Sequence, residues 1–277
     1  MTQASAANAD QAAYWNDAAG PTWAAFQTAL DRQLADLGAA ALRALAPRAG
    51  ERVLDIGCGC GATTLDLAEA VGPQGEAVGV DVSEPMLAVA RARAKGRARF
   101  LAADAQTADL GDGAYDAAFS RFGVMFFNDP PAAFANIRRA LGRPGRLAFV
   151  CWRPLADNPW MSCAYEAAAH LFPARAPADP HAPGPFAFQD PDRVRGLLEA
   201  AGFQGVRIER FDADLDLGGL EECVAVNLRI GPLGSALREH PELLASAQPL
   251  ARAALEARLR DGVVRMPAGV FIVQASA

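Results

Sequence analysis

Apolar positions along the chain alternate between two periods, and the alternation predicts repeated strand and helix units. Residues 31–46 place Leu34, Leu37, Ala41, Leu42 and Leu45 at helical spacing, and Pro47 with the turn Arg48-Ala49-Gly50 closes that helix. Val53, Leu54 and Ile56 then form a short apolar run of the kind that makes a buried parallel strand. Helical period returns over 62–71, with Leu65, Leu67, Ala68 and Val71 on one side. The same pattern recurs at strands 76–80, 99–102, 116–120 and 146–152. Between them lie a helix opened by Ser83 as N-cap with Pro85 in its first turn, and a helix over 130–141 carrying Phe134, Ile137 and Leu141. Gly142-Arg143-Pro144-Gly145 turns the chain into the fifth strand. Five β/α units in this order specify a doubly wound parallel sheet with ligands over the carboxyl ends of its strands.

Past Trp152 the pattern changes. Seven prolines, Pro154 to Pro185, surround one helical stretch at 160–171, and this segment reads as a cap inserted between strands five and six. A helix over 191–201, an alternating strand over 206–216, a largely helical stretch over 220–260 and a closing strand at 270–274 follow. The expected organisation is N-terminal lid and packing helices in 1–50, a Rossmann-type core in 51–152, the cap in 153–190 and the rest of the fold in 191–277.

The chemistry concentrates where the first strand ends. Gly57, Gly59 and Gly61 occupy every second position, where a backbone without Cβ turns tightly and lets a ligand approach. The helix after Gly61 aims its unpaired N–H groups and positive dipole end over that turn. Gly57-x-Gly59-x-x-Ala62 also satisfies the dinucleotide fingerprint, so the glycines admit a NAD-type oxidoreductase. Asp55, two residues before Gly57, favours a cationic ligand such as a sulfonium amino acid over a pyrophosphate. Asp81 ends the second strand, 20 residues beyond Gly61, where a carboxylate accepts hydrogen bonds from an adenosine ribose diol.

Asp55-x-Gly57-x-Gly59-x-Gly61, with Asp81 and Asp104-Ala105, resembles the class I S-adenosylmethionine (SAM)-dependent methyltransferases, particularly the small-molecule branch similar to the ubiquinone and menaquinone C-methyltransferases. The resemblance is specific from about Asp10 to Trp152. It implies a Rossmann-like doubly wound, seven-stranded, mostly parallel sheet whose last strand is antiparallel, and SAM as cofactor. It also implies that Val82 and Met86 lie at the adenosine, that Asp104 and Ala105 read the adenine, and that the carbonyl near Ser120 faces the cofactor's ammonium. Tyr14 and Trp23 are then lid residues over the cofactor, and Phe122 to Phe127 surrounds the methyl group. Phe122, Met125, Trp152 and Trp160 are the expected substrate contacts. No catalytic residue is assigned: His170 and Tyr165 are the candidate bases, and methyl transfer needs only alignment and desolvation unless the acceptor must lose a proton. A non-catalytic SAM-binding protein would carry the same motifs.

Composition narrows the partner. With 277 residues, 52% of them hydrophobic and 21% charged, the chain supports one large α/β core with insertions. A net charge of −6 and a single lysine, Lys95, oppose a nucleic-acid partner; the cations from Arg91 to Arg99 read as a solvated helix end. Five cysteines without histidine partners read as reduced thiols, and no metal site is expected. The absence of an 18-residue apolar run, and the small polar residues of the first ten positions, predict a cytoplasmic protein with a small-molecule substrate and no membrane span.

Overall fold

A computed structural model describes residues 8–174 and 179–277. The first seven residues of the expected lid, and residues 175–178 of the expected cap with Pro177, lie outside the described residues.

Among the described residues three helices precede the first strand: α1 (Ala9–Ala13), α2 (Gly20–Ala25) and α3 (Gln27–Leu45), with one wide turn of π-helix, Tyr14–Ala18, between α1 and α2. The alternating units follow as β1 (Arg52–Ile56), α4 (Ala62–Val71), β2 (Glu76–Asp81), α5 (Glu84–Ala94), β3 (Arg99–Ala102), β4 (Tyr115–Arg121), α6 (Pro130–Ala140) and β5 (Leu141–Trp152). Then come α7 (Pro159–Ala168), α8 (Pro191–Ala200), β6 (Gln204–Asp216), α9 (Leu220–Asn227), α10 (Gly231–Glu239), α11 (Leu244–Glu256), β7 (Leu259–Arg260) and β8 (Val263–Ser276).

The sheet order is β3-β2-β1-β4-β5-β8-β6. Strands β1 to β5 pair in parallel, and β8 runs antiparallel between β5 and β6. Buried side chains follow the apolar runs: Val53, Leu54, Ile56, Val78, Val80, Phe119 and Phe149 are at most 1% exposed. Helix α3 packs against β5, β6 and β8. No described helix is long and apolar enough to cross a membrane.

Three differences from the sequence expectation have local causes. The sheet has eight strands, because Asp261 (φ 50°) and Gly262 (φ 81°) supply the two left-handed residues of a tight hairpin turn, pairing β7 with the start of β8 inside a stretch that reads as helical. The closing strand therefore begins at Val263 and runs beside β6 for most of its length. Ser83 occupies the N-cap position of α5 without capping it. Its hydroxyl donates to the Trp15 carbonyl (2.7 Å), and Asn16 Oδ1 accepts from the Glu84 amide instead (3.0 Å).

The segment after β5 and the helices between β6 and β7 meet in one cluster: α7 packs on α10 and α11, and α9 on the same two helices. Its junction with the sheet is polar and buried. Asn158 exchanges hydrogen bonds with both backbone groups of Gly269, and Arg153, 5% exposed, pairs with Asp157 (2.8 Å) and Asp212.

Candidate active site

The glycine turn between β1 and α4 is shaped by what crosses beneath it. Gly57 (φ 66°) lies against Gly123, where an added Cβ would stand 2.6 Å from the Gly123 Cα; a Cβ on Gly123 would stand 2.6 Å from the Ile56 carbonyl oxygen. This back-to-back contact joins the loops after β1 and β4, the two strands at which the strand order reverses and where open α/β sheets place their ligands. Ser120 supports it from below: its hydroxyl donates to the Ile56 carbonyl (2.8 Å) and accepts from the Gly123 amide (3.1 Å).

Over the carboxyl ends of β1 to β4 opens a cleft, at the place where open α/β sheets hold their ligands. Gly57, Gly59, Asp81, Val82, Met86, Asp104 and Ala105 line it, as expected from the sequence, together with Trp23 and Phe122. Asp81 closes the end of β2. Its Oδ2 accepts from the Gly59 amide and its Oδ1 from the Ser83 amide, both at 2.8 Å. Burial pushes the Asp81 carboxyl up, and the amides of Ser83, Gly59 and Val82 oppose the shift. A carboxylate offers about four lone-pair sites, so each oxygen keeps one for a ligand. Asp104 sits in a similar turn and accepts from the Gln106 amide (2.9 Å).

Seven of the expected contacts stand elsewhere. Asp55 is fully buried behind the glycine turn, where its Oδ2 accepts from the hydroxyls of Thr63 (2.7 Å) and Thr64 (2.6 Å) at the start of α4. Its carboxylate holds the helix N-terminus rather than the cleft wall, and its Oδ1 has no partner among the described residues. Gly61 (φ 79°) is the N-cap residue of α4 and faces Ala90 and Phe100. Ser120 is buried in the loop support just described. Tyr14 is 41% exposed, and its neighbour Trp15 lines the cleft instead, set edge-on to Trp23 and Phe126. The π-helical turn at Tyr14–Ala18 shifts the helical phase, which a 3.6-residue reading of the aromatic pair does not anticipate. Met125, 1% exposed, points into the core. Trp152 stacks on Phe122 with centroids 4.0 Å apart, and Trp160 lies behind Trp152 at 5.2 Å; both back the wall without lining it. Phe122 itself holds φ at 64°, rare for a bulky residue, so the backbone turn aims its ring at the cleft.

Sequence reading misses a second group of lining residues. Asn8 and Gln11, one turn apart on the N-terminal segment, have buried amide oxygens without a partner among the described residues, and both residues line the cleft. Gln27, Asp31 and Arg121 also line it. Arg121 Nη2 pairs with Asp31 at 3.2 Å across 90 residues of sequence, which no local pattern reveals. His170 and Tyr165 do not line the cleft. The thiol of Cys60 does, but burial pushes it up to about 11, so it is not a thiolate at neutral pH.

The wall therefore offers amide oxygens without a partner among the described residues (Asn8, Gln11), carboxylates that accept backbone amides and keep further acceptor capacity (Asp81, Asp104), aromatic faces and one guanidinium. That set fits an adenosine carrying donors and positive charge, and opposes a pyrophosphate, which would need clustered N–H donors and cations.

Asp55 also makes a pH prediction. Burial pushes its carboxyl from the ordinary 3.8 up to about 6, against the hydroxyls of Thr64 and Thr63 and the charge of Arg121. Because the folded value is the higher one, the stabilising contribution is complete below about 3.8 and is lost as pH rises through about 6. The melting-temperature difference between parent and Asp55→Asn should shrink from pH 4 to pH 6 as the parent's advantage declines, with a swing on the order of 2 kcal/mol. A difference constant across that window would contradict the assignment.

A family model described as a methyltransferase domain matches residues 53–145, the span from β1 to the start of β5. Nocamycin O-methyltransferase of Saccharothrix syringae is 32% identical over 243 residues, covering 80% of this chain and 81% of that protein. A demethylmenaquinone methyltransferase of Thermus thermophilus is 40% identical over 110 residues, 39% of this chain and 50% of the relative, so there the match spans half the relative's length. Among solved structures, the YcgJ protein of Bacillus subtilis shares the fold, with a TM-score of 0.57 at 18% identity over 87% of this chain and 98% of that one. The O-methyltransferase match extends over four-fifths of both chains, far more than the glycine motif alone, and this chain belongs to the SAM-dependent methyltransferases.

Proposed function

We propose that this enzyme methylates a small, largely apolar or aromatic molecule held beside Phe122, Phe126 and Phe127. The observation that carries the reading is the division of the cleft: carboxylates Asp81 and Asp104 at the ends of β2 and β3, aromatic rings after β4 on the other side of β1, and, among the described lining residues, no cluster of cations for a polyanion. Bound SAM supplies an electrophilic sulfonium methyl. Asp81 takes the ribose hydroxyls, Asp104 with the Ala105 N–H takes the adenine edge, and Met86 packs against the adenine face. Asp55 acts at one remove, by fixing the turn of α4 through Thr63 and Thr64.

Trp15 and Trp23 line the cleft, and in this reading they shield the reacting groups from water. In a dry site the fixed protein dipoles replace solvent around the reacting groups, which suits a transition state that disperses the sulfonium charge. Relatives named for nocamycin and demethylmenaquinone support an acceptor of metabolite size. Burial at about 25 cal/mol per Å² is ample for micromolar binding of a ring against such a wall. The helical cluster of α7 and α9 to α11 serves as the cap, with Trp152 and Trp160 bracing the Phe122 ring from the cap side.

Two truncations test this. Phe122→Ala should lose melting temperature with its stack on Trp152 and, in the folded fraction, raise the acceptor KM about tenfold or more; Trp160→Ala should lower the melting temperature and leave KM nearly unchanged. Equal effects of the two on KM, or KM values that climb steeply with salt as phosphate contacts require, would contradict the small-molecule site.

A further inference from the structure

We propose that Arg121 is the carboxylate anchor of the cofactor site, its guanidinium taking the α-carboxylate at the amino-acid end of SAM. The inference rests on SAM being the cofactor. That end is a zwitterion, and its carboxylate calls for N–H donors of positive charge. Among the described residues lining the cleft Arg121 is the sole cation; the other charged groups there, Asp31, Asp81 and Asp104, are carboxylates that repel a carboxylate.

The surroundings of Arg121 are built to hold it. Its side chain crosses α3 at Gly38, where a Cβ would stand 3.0 Å from the Arg121 Cδ. A glycine inside a 19-residue helix, a destabilising choice on its own, is accounted for by that crossing. Asp31 takes one end of the guanidinium through Nη2 (3.2 Å), and Asp31 is itself held by Arg93 (2.9 Å) and Gln27. Arg93 in turn donates to the Cys60 carbonyl in the glycine turn (2.7 Å). One carboxylate, Asp31, thus serves two guanidiniums, so neither is neutralised by a partner of its own. The Nε and Nη1 of Arg121 meet no acceptor among the described residues, so donors remain for a ligand's planar carboxylate.

Calorimetry with SAM and with decarboxylated SAM, which differs at this group alone, tests the assignment. The parent should bind the decarboxylated form at least about tenfold more weakly. Arg121→Met should weaken SAM by a similar factor and leave decarboxylated SAM nearly unchanged; Arg121→Lys, which keeps the charge without the fork, should fall between. A parent that binds the two ligands equally, or an Arg121→Met variant that weakens both alike, overturns the proposal; the first of these needs no variant to fold. The second outcome is also what an anchor for the methyl acceptor, or a merely structural arginine, would give. A parent that binds neither ligand refutes the cofactor itself, and this inference with it.

Discussion

Asp81→Ala should lower the affinity for SAM about a hundredfold. Two ribose hydroxyls donating to one carboxylate are charge-assisted hydrogen bonds worth on the order of 1.5 to 3 kcal/mol each, and each 1.4 kcal/mol is a factor of about ten. The same carboxylate also accepts from the amides of Gly59 and Ser83, so the variant loosens the glycine turn and the β2–α5 turn together. The apo variant should therefore melt a few degrees lower, and only the affinity ratio isolates the ribose contact. Asp81→Asn keeps one acceptor oxygen and should recover part of the loss. Calorimetry on the folded variants decides the matter: parent-like SAM affinity in Asp81→Ala would refute the role.

The second large effect is steric. Alanine at Gly57 or at Gly123 puts a methyl 2.6 Å from backbone that cannot withdraw, at Gly57 with a φ of 66° that an L-residue adopts only under strain. Strain and overpacking together should destabilise by roughly 2 to 5 kcal/mol, or about 5 to 15 °C in melting temperature for a domain of this size. Gly50→Ala provides the comparison, since Gly50 also holds a left-handed φ (84°), in the turn closed by the Glu51 amide on the Arg48 carbonyl, but meets nothing within 4 Å. If Gly57→Ala and Gly50→Ala melt alike, the crossing of the two loops is not what requires the glycine.

The legible parts of this protein are those set by local periodicity. The runs at Val53–Ile56 and Val78–Val80 are buried on both faces, so they read as parallel strands, and Asp81 and Asp104 fall at strand ends because the sheet carries every such end to the same cleft. Features that depend on distant partners were not legible. Gly123 looks like an ordinary loop glycine until Gly57 is laid against it. Asp31 opens the stretch that reads as a helix and Arg121 follows the strand read at 116–120; their pairing exists only once α3 crosses β4. Asp55 carries the right motif and the wrong implied contact, because the hydroxyls of Thr63 and Thr64 draw its carboxylate away from the cleft. Trp152 and Trp160 illustrate a related ambiguity: aromatic residues that stack behind a wall have the same composition as those that form it.

Methyl transfer from isotopically labelled SAM into a cell extract, followed by separation of small molecules from macromolecules, tests the proposed function most directly. The label should appear in the small-molecule fraction, in an organic-extractable product, at a rate that changes little between about 50 and 200 mM salt, whereas a phosphate-contacting substrate would lose affinity steeply over that range. Label recovered in tRNA, rRNA, DNA or protein, or no transfer at all by a protein that binds SAM, would contradict it.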